Sequence, residues 1–117
     1  DRKVKNREII RISSEKVKVG LPLTMIGYPM GIAQKIVDDG FVTQLGPDKY
    51  SFRHKLDTFS SNSGGPLFNE RGEQVGVLVR GSGPNQTMVS GKSCYDWGMD
   101  KDSDYAEANT LLHLPLP

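Results

Sequence analysis

Apolar residues in this chain come in short extended runs, each soon closed by glycine or proline, and before residue 103 none keeps a helical period for three turns. Leu21 to Ile26 reads LPLTMI and stops at Gly27-Tyr28-Pro29-Met30-Gly31, a strand followed by a forced turn. Ile36, Val37, Phe41, Val42 and Leu45 form a second run, interrupted at Asp38-Asp39-Gly40 by the signature of a bulge or tight turn. Tyr50, Phe52, His54 and Leu56 alternate with Ser51, Arg53 and Lys55, as on a half-exposed strand. Pro66-Leu67-Phe68, the turn Asn69 to Gly72 and the run Val75 to Val79 read as a hairpin. A shorter strand is expected near Thr87 to Val89. Leu111, Leu112 and Leu114 are expected to anchor a final strand or helical turn. Thirteen glycines and seven prolines, spread along the chain, suit many short strands. The expected fold is all-β, a small antiparallel barrel.

At 117 residues there is room for one core and no second domain. The formal net charge of +1 leaves no global field for nucleic acid or an anionic membrane. No apolar stretch approaches the roughly 18 residues that suggest a membrane span. The single cysteine, Cys94, cannot make an intrachain disulfide, so the fold must hold without cross-links. Residues 1–20 are basic and polar, with Ile9, Ile10 and Ile12 as the expected apolar anchors. They read as a connector feeding a barrel domain over 21–117.

Chemistry concentrates in Leu56-Asp57-Thr58-Phe59-Ser60-Ser61-Asn62-Ser63-Gly64-Gly65-Pro66-Leu67-Phe68, followed by Gln74-Val75-Gly76-Val77-Leu78-Val79. Ser63-Gly64-Gly65-Pro66, preceded by Asn62 and followed by an apolar hairpin, resembles the Gly-Asn-Ser-Gly-Gly-Pro nucleophile loop of trypsin-like, chymotrypsin-fold serine proteases, especially the bacterial ones. Met25-Ile26-Gly27-Tyr28-Pro29-Met30-Gly31 resembles the Ile-Gly-x-Pro-x-Gly turn of their second barrel. Asp39-Gly40-Phe41-Val42 is similar to the Gly-hydrophobic-Val strand that follows, and Val79-Arg80-Gly81-Ser82-Gly83 to the strand that docks substrate backbone. The likeness runs from about Gly20 to Pro84.

That resemblance implies an antiparallel six-stranded β-barrel, the second barrel of a two-barrel endopeptidase, with Ser63 as catalytic nucleophile. A serine hydroxyl needs a base to accept its proton, and the oxyanion it creates needs preorganised donors. By resemblance those donors are the amides of Ser61 and Ser63, and Val79, Arg80 and Gly81 bind substrate backbone. Ser61 departs from the pattern, which has glycine there, and predicts a strained or flipped peptide. Asp57, six residues before Ser63, matches the carboxylate that selects Arg or Lys in relatives with that preference, although a loop Asp bonded to nearby amides is the plainer reading. Leu78 stands where Glu-specific relatives carry a histidine on the substrate strand, which disfavours acid specificity. Asn62 replaces the Asp of enzymes activated by a new N-terminus.

The catalytic His and Asp of such enzymes come from the first barrel. The chain is expected to begin just after it and to be nearly inactive alone. His54, nine residues before Ser63, and His113 read as ordinary histidines. The expected partners are a peptide or protein substrate and that missing N-terminal barrel, without which exposed apolar surface favours a dimer of the fragment. No cofactor and no metal are implied, and secretion or a periplasmic location follows from family habit. The alternative is a catalytically dead, peptide-binding barrel. Other patterns fail in detail. Ser61-x-Ser63-x-Gly65 lacks the helix of a hydrolase elbow, and Ser90-Gly91-Lys92-Ser93 lacks the first glycine of a phosphate loop. Asp100, Asp102 and Asp104 meet Tyr105 and Leu111 where a calcium loop needs Gly and Glu.

Overall fold

The computed structural model describes residues 3–81, 85–98 and 106–112. Eight strands occur in it: β1 (Pro22–Gly27), β2 (Lys35–Leu45), β3 (Ser51–Lys55), β4 (Pro66–Phe68), β5 (Gln74–Gly81), β6 (Asn85–Met88), β7 (Tyr95–Gly98) and β8 (Ala106–Thr110). Six of them close a barrel in the order β1-β2-β3-β8-β5-β4, every pairing antiparallel, while β6 and β7 form a separate hairpin. Closure pairs each barrel strand with a neighbour on both sides, which limits edge-to-edge pairing to the stretches where one strand outruns its neighbour.

Period-two alternation fills the barrel. Leu23 and Met25 from β1, Val42 from β2, Phe52 from β3, Leu67 from β4 and Leu78 from β5 are all buried in one cluster. On β3, Phe52 and His54 point inward and Leu56 follows them into the core, whereas Tyr50, assigned to the same face, is exposed at the strand's entry. Gly76 is obligatory for packing: a β-carbon there would lie 2.8 Å from Phe52 Cζ and 2.8 Å from the Asn109 carbonyl oxygen. The acidic interruption at Asp38-Asp39-Gly40 does not end its strand. β2 runs through it, and the register against β1 slips between the Leu23–Gly40 and Met25–Val37 pairs, so it is a bulge.

Two expectations change. Ile9 is 93% exposed and Ile10 54%, so the isoleucines do not anchor the N-terminal segment. It is held instead by backbone: Ile12 bridges Gln74 in parallel, Ser13 N–H donates to the Gln74 carbonyl at 2.9 Å, and Gln74 N–H donates to the Arg11 carbonyl at 2.8 Å. Val17 and Leu21 then pack against the core, and Arg71 on the β4–β5 turn pairs with Glu15 at 2.9 Å. The second change lies at the other end. The last strand is Ala106–Thr110, earlier than the leucines that were expected to form it, and it is buried through Ala106 and Ala108. Of those leucines, Leu111 is buried just after the strand, and Leu114 lies outside the described residues, as do His113 and the Asp100 to Asp104 run.

Candidate active site

Between β3 and β4 the chain has ten residues, Leu56 to Gly65, in which to leave one strand and enter the next. A four-residue turn forms first. Asn62 N–H donates to the Phe59 carbonyl at 3.2 Å, and the third residue of the turn, Ser61, takes φ +74°. Glycine or asparagine is the usual occupant of that left-handed position, so the irregularity expected at Ser61 is a real backbone strain. The peptide before it is fixed, because Met30 N–H donates to the Ser60 carbonyl at 2.9 Å. In a trans peptide the N–H points opposite to the carbonyl, so the Ser61 N–H faces away from Met30.

After the turn the loop is stitched to β5. Gly65 N–H donates to the Asn62 carbonyl at 2.9 Å, Gly64 N–H to the Leu78 carbonyl at 2.8 Å, and Leu78 N–H to the Gly65 carbonyl at 2.9 Å. Gly64 has φ +84°, and at Gly65 a β-carbon would fall 2.6 Å from Met25 Cε and 2.8 Å from the Asn62 carbonyl oxygen. Both glycines are therefore geometric requirements of the loop. Ser63 is left exposed at its crest. Neither the Ser61 nor the Ser63 N–H has an acceptor among the described residues.

Ser63 opens onto a hollow of about 290 Å³ whose walls include Thr58, Ser61, Val79, Arg80 and Gly81. Five of the six residues named for this site thus meet around one cavity. Arg80 is the only ionisable group among its described lining residues. On β5, pairing with β4 ends at Pro66–Val77, while β8 covers the other edge through Gly81–Ala106, with a bulge between Leu78 and Arg80. Beyond Leu78, the edge of Val79 to Gly81 away from β8 has no partner strand among the described residues.

The sixth residue, Asp57, is exposed and does not line the Ser63 hollow. It lies with Met25, Pro29, Met30, Ile36 and Val37 on a second, mostly apolar cavity of about 380 Å³ behind the loop. Asn62 reaches that cavity too. It is buried, and its Oδ1 has no hydrogen-bond partner, lying so near Gly27 that a β-carbon there would approach it to 2.5 Å. Sequence reasoning used Asn62 as part of the motif and as a replacement for the Asp of enzymes activated by a new N-terminus, and gave its side chain no place in a cavity. Thr58, buried with its Oγ1 facing Gly81, carried no signal of its own beyond lying in the loop string.

His54 is fully buried on β3, its ring centroid 6.1 Å from that of Phe52, and neither ring nitrogen has a partner. Burial pulls its pKa down to about 4, so it is neutral at pH 7. It does not line the Ser63 hollow.

Residues 3–77 match the family model of the trypsin-like peptidase domain. No curated protein matches the sequence. Among solved structures, the Rv3671c protease in an inactive form aligns with a TM-score of 0.64 and 18% identity, over 91% of this chain and 51% of that one. Rv3671c from M. tuberculosis H37Rv, in the inactive form of a serine-to-alanine mutant, aligns equally well, over 91% of this chain and 49% of its own. The chain spans about half the length of the solved structures it matches.

Proposed function

Because this chain belongs to the trypsin-like peptidase domain family, we propose that it is the nucleophile-bearing barrel of a serine endopeptidase. The observation that carries the reading is the exposed Ser63 lining one hollow with Ser61 and with the strand Val79 to Gly81, where the N–H groups of Ser61 and Ser63 have no acceptor and one strand edge has no partner among the described residues. An extended peptide pairs along Val79 to Gly81 and places a side chain in the hollow. Ser63 Oγ attacks the carbonyl carbon, the amides of Ser61 and Ser63 hold the oxyanion, and the carbon–nitrogen bond breaks to leave an acyl-serine. Water then releases the acid.

The proton of Ser63 needs an acceptor, and the lining of the hollow offers none among the described residues. A first barrel bearing a His and its orienting acid supplies it and delivers the proton to the departing amine. Its surface covers part of the apolar face that this chain exposes at Ile32, Ile36 and Phe41. Asp57 selects a cationic side chain on this reading only if the two-barrel protein turns its carboxylate toward the hollow, since here it lines the other cavity.

Labelling of the full-length protein with a fluorophosphonate tests the assignment. Modification of Ser63, absent in Ser63→Ala, together with peptide cleavage lost in the same variant, is the expected result. A folded protein that neither labels nor cleaves is a peptide-binding barrel, with the strained Ser61 as the first suspect.

A further inference from the structure

The bulge between Leu78 and Arg80 resets which side chains of β5 face outward. Before it, Leu78 and its partner Ala108 are buried; after it, Arg80 pairs with Glu107 on the outer face and Gly81 pairs with the buried Ala106. Gly81 turns its bare face inward, 3.1 Å from Thr58 Oγ1 for a β-carbon placed there. The Arg80 side chain thus stands on the opposite face from the hollow's inner wall, and its side chain is 73% exposed. Its guanidinium gives Nε and one terminal N–H to a single oxygen, Glu107 Oε2, at 3.1 and 3.0 Å. Since a guanidinium has five N–H donors, three have no acceptor among the described residues.

Arg80 also borders a second, smaller hollow of about 160 Å³, shared with Gln44, Arg53 and Glu107. Arg53 sits across from Glu107 on β3 and donates to Gln44 Oε1 at 3.4 Å. A carboxylate arriving there meets those donors of Arg80 in a planar fork, the arrangement that holds carboxylates best.

Resting on the protease reading, we propose that Arg80 makes the enzyme prefer an acidic substrate residue at the second or fourth position before the cleaved bond. The reason is alternation. In an extended peptide paired along Val79 to Gly81, successive side chains point to opposite faces. If the residue adjoining the cleaved bond enters the Ser63 hollow, the second and fourth lie on the Arg80 face, and the first and third do not.

The test uses the full-length protein and a peptide series in which each of the four positions carries Glu or Gln in turn. Glu at the second or fourth position should raise kcat/KM roughly threefold to tenfold over Gln, the range for a charge-assisted bond at an exposed site. The first and third positions should show no such gain. In Arg80→Gln the Glu-to-Gln ratio should fall to about one. In Glu107→Gln, which frees Arg80 from its internal partner, it should rise. A preference that is absent, is equal at all four positions, or survives Arg80→Gln overturns the inference while leaving the protease reading intact. No cleavage of any peptide overturns the protease reading, and the inference falls with it.

Discussion

At position 54 a titratable ring is buried beside Phe52 with neither nitrogen hydrogen-bonded. His54 binds its proton only near pH 4 when folded, against an ordinary value of 6.5. The unfolded chain therefore takes up a proton that the folded chain refuses, and stability falls with pH in that interval. The contribution is complete above about pH 6.5 and is lost as pH drops toward 4, on the order of 3 kcal/mol in all. Urea unfolding at pH 7.5, 5.5 and 4.5 should show the decline, and His54→Leu should flatten it. Ser61 is the other residue whose identity conflicts with its backbone. Since φ +74° is hardest on β-branched side chains, Ser61→Val should cost about 1–2 kcal/mol of stability and depress Ser63 reactivity toward a fluorophosphonate. Ser61→Gly should retain both. The motif revealed that Ser61 was out of place. It did not reveal that the turn would hold the carbonyl of Ser60 on Met30, because that bond joins segments thirty residues apart.

Among the elements, β5 does most to assemble the site, since it closes the barrel on one side and fastens the nucleophile loop on the other through Gly64, Gly65 and Leu78. Its glycine at position 76 lets the Phe52 ring approach the backbone through Cζ and Cε1. Gly76→Ala should destabilise the chain by about 1–3 kcal/mol through overpacking, measurable as a lowered urea midpoint with an unchanged slope. The hairpin β4–β5 and the alternation of β3 were legible because each is a local pattern. β8 was not. Ala106 and Ala108 are too small to mark a buried face in a polar stretch, and they are buried by their cross-strand neighbours, Ala108 between Phe52 and Leu78 and Ala106 between His54 and Gly81. Ala108→Leu should accordingly cost about 1–3 kcal/mol, although the sequence around it looks tolerant.

For the whole molecule, the exposed apolar side chains of Ile32, Ile36 and Phe41 lie on the β1–β2 side of the barrel. The chain alone should therefore associate at micromolar concentration in light scattering, and Ile36→Glu should reduce the effect without lowering the unfolding midpoint. Short apolar runs closed by Gly and Pro were enough to determine an antiparallel barrel, and the order of Gly27 to Gly31, Asp39 to Val42 and Ser63 to Pro66 was enough to place the candidate nucleophile. Both are written in nearest-neighbour spacing, which a strand or a turn translates directly into geometry. What only the tertiary structure decided was which distant groups meet. Closure of β1 on β4 put Asp57 on the apolar cavity instead of the Ser63 hollow, and one bulge in β5 turned Arg80 outward onto Glu107. A cavity is bounded by strands far apart in sequence, so its occupants are fixed by registers that no single stretch of the chain contains.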